Sequence, residues 1–310
     1  MLRHHFPAAA LLWLTMLSPG WAEQPSDMQL VLLGTGYPFP SADRAGPSCA
    51  IIAGQKVFIV DSGRGTTMRL AALGNLWRHI GAVFITHMHS DHIDGLPDLF
   101  HSTWEFGGGT PFELYGPEGI KKSADAIIQF YEADIHIRRD LTEKLSAEGA
   151  RINAHEIQEG VVYEKSGVRV TAFQVEHPPV KPAFGYRFDS GSQSIVVTGD
   201  TKQNPNLIKF AAGADILVSE AYVPDRGPSA GQGDRPWSIQ DYHMSAKEAG
   251  ETAEKAKVKT LVLTHLIPAN ASEKVFLDEA GKAFSGKIIV GRDLMHIKAA
   301  DTTAKETIKP

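Results

Sequence analysis

Four side chains that can bind a metal ion lie within six consecutive positions: His87, His89, Asp91 and His92. They follow an apolar run at 82–85, which predicts a short buried strand. Alternate side chains of an extended segment share a face, so the first three point the same way, and His92 arrives from a following helix. Three imidazoles and one carboxylate suit Zn²⁺ or a similar divalent ion. The sequence therefore predicts a metal site where this strand ends.

Further ligand-type residues stand at the ends of other predicted strands. His177 follows the apolar run at 168–175, and His265 follows the run at 260–264. Asp200 follows the run at 195–198, with Gly199 between them to allow a tight bend. Strand ends are rigid positions from which several ligands can converge. We therefore expect these residues to complete the site that begins at His87.

The rest of the chain alternates apolar runs with helix-like segments and shows no short repeat or long linker. Strands are predicted at 29–33, 49–53, 57–60, 82–85, 112–115, 151–156, 168–175, 183–188, 194–198, 216–219, 260–263 and 287–290, and helices at 64–73, 91–101, 119–131, 205–212 and 245–257. This order, in two similar halves, predicts an α+β fold in which two facing mixed sheets carry helices outside, an αββα sandwich. We assign it to one domain at 23–300.

Bulk composition describes an ordinary globular protein. The chain has 310 residues, a formal net charge of −5 and an estimated pI of about 6.2. Such a balance gives no general attraction to nucleic acid. The single cysteine, Cys49, excludes an intramolecular disulfide and lies in an apolar run as a small buried residue. The metal ligands must therefore be histidines and carboxylates.

The N-terminus has the pattern of an export signal. Arg3 precedes an apolar run at 8–17, and Pro19 and Ala22 follow as a break and a small-residue cleavage site. The run is too short to span a bilayer, so we expect cleavage near Ala22 and no membrane span in the mature chain. These features predict a periplasmic or secreted protein. The segment at 301–310 is polar and predicts a frayed tail.

Together these motifs resemble the metallo-β-lactamase-fold hydrolases, and within them the ribonuclease Z and arylsulfatase branch. The resemblance covers residues 30–297. The matching elements are LGTG at 33–36, DSGRGT at 61–66, HMHSDH at 87–92, His177, GDT at 199–201, SEA at 219–221, YHMS at 242–245 and THL at 264–266.

The resemblance implies two divalent ions, for which Zn²⁺ fits best. One ion would be held by His87, His89 and His177, the other by Asp91, His92 and His265, with Asp200 bridging them. Two ions about 3.5–4 Å apart can share a hydroxide nucleophile and neutralise charge on an ester. The catalytic residues implied are Asp91 together with His243 and Glu220, the pair that would donate a proton to the leaving oxygen.

Three of these positions have alternative interpretations. Asp61 either orients a ligand histidine or caps the predicted helix at 64–73. His243 could instead be an N-terminal residue of the helix at 245–257, with Glu220 on the surface.

Two long loops favour a substrate with an aromatic or apolar leaving group. The loop at 101–111 contains Trp104, and the loop at 224–242, a candidate lid, contains Trp237. Arg226 and Arg235 could meet a sulfate or phosphate oxygen. The two tryptophans could equally belong to the core. The leading hypothesis is an exported hydrolase of small anionic sulfate or phosphate esters, resembling the arylsulfatases.

A ribonuclease Z-like phosphodiesterase is the first alternative, followed by a lactonase or β-lactamase and last by a non-enzymatic metal-holding scaffold. Ribonuclease Z usually carries a basic arm for transfer RNA between the positions matching His177 and Asp200. Here about 23 residues separate them and predict strands. From this gap, the export signal and the net charge, we do not expect nucleic acid as a partner. The sequence leaves a homodimer open.

Overall fold

The computed structural model describes residues 27–74, 76–224 and 238–300. Within them, two seven-stranded sheets face each other with helices on their outer surfaces, which confirms the predicted αββα sandwich. The predicted export signal at 1–22 and the polar tail at 301–310 lie outside the described residues. No helix of the described segments combines the length and apolar character needed to cross a membrane.

The first sheet joins the N-terminal strands to the last strand of the chain. Its strands are β1 (Met28–Gly34), β2 (Ser48–Ala53), β3 (Lys56–Val60), β4 (Ile80–Phe84), β5 (Phe112–Gly116), β6 (Ile152–Glu156) and β14 (His296–Lys298), in the order β14-β1-β2-β3-β4-β5-β6. Pairing is antiparallel from β14 to β3 and parallel from β3 to β6.

The second sheet repeats this scheme. Its strands are β7 (Gly160–Lys165), β8 (Val168–Gln174), β9 (Phe184–Ser190), β10 (Gln193–Val197), β11 (Ile216–Tyr222), β12 (Thr260–Ile267) and β13 (Lys287–Val290), in the order β13-β12-β11-β10-β9-β8-β7. Pairing is antiparallel from β7 to β10 and parallel from β10 to β13. Most of the predicted metal ligands lie at the carboxyl ends of the parallel strands β4, β10 and β12, whereas His177 follows the antiparallel strand β8.

Eight α-helices cover the outer faces in the described residues. They are α1 (Thr66–Ala72), α2 (Ser90–Ile93), α3 (Leu96–Phe106), α4 (Ile120–Phe130), α5 (Glu132–His136), α6 (Pro205–Ala211), α7 (Ala246–Ala256) and α8 (Glu273–Gly281). Two of the eight begin with a side-chain cap. Asn204 caps α6 ahead of Pro205, and Ser245 forms a capping box with Glu248 at α7.

The core consists of one apolar layer between the sheets and one beneath the helices of each sheet. Between the sheets, Phe84 contacts Tyr186 and Phe188 from the opposite sheet, with ring centroids 5.3 and 5.6 Å apart. Separate apolar clusters pack α1, α3 and α4 on the first sheet and α6, α7 and α8 on the second. Because the sheets are fixed on both faces, the strand ends between them are rigid positions for a site.

The structure corrects the prediction of a loop at 101–111. Helix α3 continues to Phe106, because Leu99, Phe100 and Trp104 keep the apolar 3–4 spacing and are buried beneath it. Strands β7 and β14 and helices α5 and α8 were not predicted, since each is short or largely polar. The gap between His177 and Asp200 is filled by β9 and β10, as predicted.

Candidate metal site

The site begins where β4 ends. His87 is fully buried after Thr86, and the chain then turns into the short helix α2, which carries Asp91 and His92. Asp91 lies in the first turn of that helix, where a negative charge is favoured. The sequence pattern therefore folds as one compact ligand-bearing turn.

The second sheet supplies the other ligand-type residues. His177 follows β8, and Asp200 follows β10 after Gly199, whose φ of 63° is in the left-handed region. A side chain on Gly199 would place its Cβ 2.8 Å from the Cβ of Thr86, so the close approach of the two sheets requires glycine. His265 belongs to β12, also with a left-handed φ, of 44°. All three side chains are buried.

These residues form clusters that share Asp200. Potential ligand atoms of His87, His89, His177 and Asp200 lie within 4.8 Å of one another, and the same holds for Asp91, His92 and His265. One oxygen, Asp200 Oδ2, lies 3.8 Å from His87 Nε2 and 3.4 Å from both His92 Nε2 and His265 Nε2. The structure thus brings together all seven metal ligands proposed from the sequence.

Unpartnered polar atoms show that the clusters fit a cation. Asp91 Oδ2, His92 Nε2 and His265 Nε2 are buried and have no hydrogen-bond partner among the described residues. His87 Nε2 and His89 Nδ1 face each other at 3.0 Å. Such groups are costly to bury unless something compensates them. A divalent ion in each cluster would do so, and nitrogen with oxygen donors suits Zn²⁺ or a similar metal.

Asp61 orients two of the proposed ligand histidines, His92 directly and His87 through Thr86, so that Nε2 of each faces the cluster. Its Oδ2 accepts a hydrogen bond from His92 Nδ1 at 2.8 Å, and its carboxylate also accepts from the Thr86 hydroxyl. That hydroxyl lies 3.0 Å from His87 Nδ1, which can donate to it. Helix α1 is instead capped by Gly65 without a side-chain hydrogen bond. The structure therefore places Asp61 against His92, one of the proposed ligands, and not at the helix.

The Tyr242 carbonyl and the Thr86 hydroxyl have roles in the site that the sequence did not predict. The Tyr242 carbonyl accepts a hydrogen bond from His177 Nδ1 at 2.8 Å, which leaves His177 Nε2 facing the cluster. Any residue type can supply a carbonyl, so only the contact itself reveals this role. The adjacency of Thr86 to His87 was the one available signal for its hydroxyl.

The buried histidines and carboxylates of the site shift one another's pKa values. Burial alone would raise the pKa of Asp200, but His265 and His92 outweigh it and hold that pKa well below its usual range. Burial alone would lower the pKa of His92, but Asp200 and Asp61 raise it well above the ordinary value. Burial lowers the pKa of His177 to about 4. Asp200 is therefore ionised, and the His177 imidazole is neutral near neutral pH.

His243 and Glu220 form a buried pair beside the clusters. His243 Nδ1 hydrogen-bonds Glu220 Oε2, while the other oxygen of Glu220 accepts from the backbone N–H of Thr201. The His243 ring lies 5.2 Å from that of His177 and 5.5 Å from that of His265, centroid to centroid. Burial raises the pKa of Glu220 well above its usual value and lowers that of His243. Glu220 is thus not a surface residue.

Of the residues proposed for substrate contact, the structure describes only Trp104, and it lies away from this site. Trp104 is 2% exposed, and its Nε1 donates to the Ser146 carbonyl at 2.9 Å. It borders a cavity of about 700 Å³ with Trp77 and Arg78, whose lining in the described chain includes none of the cluster residues. Arg226, Arg235 and Trp237, with most of the candidate lid, lie outside the described residues.

Comparison with known proteins places this geometry in a family. Residues 58–266 match the family model described as a beta-lactamase superfamily domain. The chain is 38% identical over 276 residues to ribonuclease Z of Mycobacterium marinum, covering 87% of this chain and 98% of that protein. Ribonuclease Z of Mycobacterium tuberculosis is 36% identical over 280 residues, with the same shares covered. The chain therefore belongs to the metallo-β-lactamase superfamily.

Solved structures show the same fold. The metallo-β-lactamase fold protein YhfI from Bacillus subtilis superposes with a TM-score of 0.68 at 23% identity, covering 88% of this chain and 99% of that one. The short form of human tRNase Z superposes with a TM-score of 0.64 at 23% identity, covering 87% and 98%.

These findings confirm a metal-dependent hydrolase of ester bonds and correct one expectation. The expectation that nucleic acid is not a partner is wrong, because relatives aligned over nearly their whole length are named ribonuclease Z. Net charge averages over the entire surface, whereas only a small part of it contacts a bound nucleic acid. The comparisons also favour the ribonuclease Z-like alternative over the small-ester hydrolase.

Proposed function

We propose that this member of the metallo-β-lactamase superfamily is a ribonuclease Z-like phosphodiesterase that uses two Zn²⁺ ions to hydrolyse RNA. The observation that carries the proposal is the 38% identity to a ribonuclease Z along 98% of that protein. The geometry supports it, because the two clusters and the His243–Glu220 pair supply what phosphodiester hydrolysis needs.

The two ions would be held by separate ligand sets that share one carboxylate. His87 Nε2, His89 Nδ1 and His177 Nε2 would hold the first, and Asp91 Oδ2, His92 Nε2 and His265 Nε2 the second, with Asp200 Oδ2 between them. When bound, such a pair supplies an activated water and neutralises charge on the phosphate. Each ion would have only three or four protein ligands, which leaves positions open for reactants.

The protein's own side chains would set proton positions. Asp61 fixes the proton of His92 on Nδ1, and Tyr242 does the same for His177, so both ligands keep Nε2 free. Asp91, in the ligand set, would also help to orient the attacking water. His243, held through Nδ1 by Glu220, keeps Nε2 to protonate the leaving oxygen.

The leaving group decides how much this proton matters. A ribose hydroxyl is a poor leaving group, whereas p-nitrophenolate leaves without protonation. General acid catalysis typically contributes about 10²–10⁴-fold. We therefore expect His243→Ala to slow RNA cleavage by about 10²-fold or more while changing bis-p-nitrophenyl phosphate hydrolysis several-fold at most.

The experiment compares precursor transfer RNA, bis-p-nitrophenyl phosphate, p-nitrophenyl sulfate and a nitrocefin-type β-lactam as substrates. Chelator-stripped protein, with and without added Zn²⁺, is the control for metal dependence. His155→Ala is the matched variant, because His155, on the edge strand β6, forms an exposed imidazole–carboxylate pair with Glu113 of β5. Equal losses on both phosphate substrates would exclude the general-acid role. Faster turnover of the sulfate than of RNA would exclude the proposed substrate.

Export remains a separate proposal. The pattern at 1–22 supports it, and N-terminal sequencing of protein recovered from periplasm and cytoplasm checks it. A chain that keeps Met1 in the cytoplasm would contradict export while leaving the catalytic proposal intact.

A further inference from the structure

Asp293, in the turn between β13 and β14, joins three distant segments through one carboxylate. Its Oδ1 accepts from both the backbone N–H and the hydroxyl of Thr35, at 3.0 and 2.8 Å. Its Oδ2 accepts from the backbone N–H of Ala45 at 2.7 Å and from Arg69 Nε at 2.9 Å. The side chain is only 7% exposed, so these hydrogen bonds are sheltered from water.

Thr35 extends this network to the metal cluster. Its carbonyl accepts a hydrogen bond from the backbone N–H of Leu266 at 3.1 Å. Strand β13 ends at Val290, opposite Leu263, so it provides no partner for Leu266. Arg44 supports the same loop by donating to the Thr35 hydroxyl at 2.7 Å.

Leu266 is the residue that closes a β-bulge around His265. In the β11–β12 ladder Glu220 pairs with Thr264 and Ala221 with Leu266, so His265 is the extra residue of the bulge. Its φ of 44° is unusual for a residue other than glycine and persists only where neighbours enforce it. Bulges of this kind redirect a side chain.

The ring of His265 receives no comparable support. His87, His92 and His177 each have a hydrogen-bonding partner within reach of Nδ1, namely Thr86, Asp61 and the Tyr242 carbonyl. His265 Nδ1 has none among the described residues. On the Nδ1 side, its direction is therefore set by its backbone and by packing, while Nε2 lies 3.4 Å from both Asp91 Oδ2 and Asp200 Oδ2.

We propose that Asp293 is a positioning residue for His265. Through Thr35 it fixes the bulge that directs the imidazole at Asp91 and Asp200. The inference rests on the metal assignment of the proposed function, but not on RNA as the substrate. It predicts that Asp293 controls the affinity of one metal position, although it touches neither ion.

The test measures Zn²⁺ affinity with a chromophoric chelator in Asp293→Asn, His265→Ala and the double variant. An amide cannot accept from all four donors, so the bulge loses support. We expect Asp293→Asn to weaken one of two bound equivalents by about 10–100-fold, the usual effect of losing support for a ligand. In the His265→Ala background the same change should have less than a threefold effect, whereas in a His89→Ala background it should keep its full effect.

Controls separate positioning from folding. Asp215 is a similarly buried carboxylate that accepts from Ser194 and Lys259 at the opposite end of β11, so Asp215→Asn should lower the free energy of unfolding without changing Zn²⁺ affinity. Thr35→Val, which removes only the hydroxyl, should weaken the same equivalent by a smaller factor. An Asp293→Asn effect that is equally large in the His265→Ala background, or unchanged affinity in well-folded Asp293→Asn, would overturn the proposal. Failure to cleave RNA, with this cycle intact, would overturn only the proposed function.

Discussion

Replacing Asp61 with asparagine should separate the control of a histidine proton from the stability of the fold. The backbone N–H of Thr86 donates to Asp61 Oδ1 at 2.8 Å and cannot change direction. The amide oxygen of an asparagine must therefore stay on Thr86, which turns the amide NH₂ toward His92 Nδ1. A donor at that place requires the imidazole proton to move to Nε2, the atom that faces Asp91 and Asp200.

The magnitudes follow from these contacts. Loss of a carboxylate that orients a metal-ligating histidine typically costs about 10–100-fold in metal affinity, or about 1.4–2.7 kcal/mol. The metal-free protein should lose about 1.5–3 kcal/mol of unfolding free energy, the usual worth of a buried hydrogen bond to a charged group. Asp61→Ala should be less stable by about another 1–3 kcal/mol, because it also leaves the Thr86 N–H without a partner.

Two assays read these quantities separately. Competition with a chromophoric chelator gives Zn²⁺ affinity, and urea unfolding of chelator-treated protein gives stability. Asp94→Asn is the matched control, since Asp94 is a half-exposed carboxylate paired with Arg64. If Asp61→Asn binds Zn²⁺ within twofold of the wild-type protein at both positions, the assigned control of the His92 proton is wrong.

Three further predictions concern single contacts. Gly199→Ala should lower the free energy of unfolding in urea more than Gly213→Ala does. Both glycines have a left-handed φ, for which an alanine costs about 1–2 kcal/mol. Only at Gly199 would the new Cβ also clash with Thr86. Similar losses in the two variants would contradict the close approach of the sheets. In chelator-treated protein, His177 should lower the free energy of unfolding by about 2 kcal/mol as the pH falls from 7.5 to 5. Its pKa is about 4 in the folded protein and about 6.5 in the unfolded chain, so only the unfolded chain takes up the proton in this range. His177→Asn should remove that part of the pH dependence in urea titrations at the two pH values, and parallel curves would refute it. Burial raises the pKa of Cys49, so a thiol reagent at pH 8 should label the native protein negligibly and the urea-unfolded protein once; rapid native labelling would contradict this.

The grouping of the seven proposed ligands was predictable from sequence because its signals are local. Each ligand stands at or near the end of an apolar run, and the turn from His87 to His92 places four ligand types within six residues. The fold followed from the same alternation of strands and helices. Glu220 was harder, since the predicted strand ended at residue 219 whereas β11 continues to Tyr222.

Contacts between segments far apart in sequence could not be predicted. One of the two interpretations of Asp61 was that it orients a ligand histidine, but the sequence did not indicate that this residue is His92, thirty-one positions later. It gave no sign that Asp293 meets Thr35 across 258 positions. Trp104 was assigned to a loop because three glycines follow shortly after it, although the apolar spacing of α3 continues through it. The net charge led to a wrong prediction about nucleic acid, because a value averaged over the whole surface does not describe the part that contacts a substrate.

The division of the ligands between the two sheets has a mechanical consequence. His87, His89, Asp91 and His92 come from the first sheet, and His177, Asp200 and His265 from the second. Bound ions would therefore cross-link the two sheets, in a chain whose one cysteine rules out an internal disulfide. Removing them should allow the two sheets to separate locally before either sheet unfolds. Hydrogen exchange at the ends of β4 and β10 would therefore detect metal loss before any secondary structure is lost.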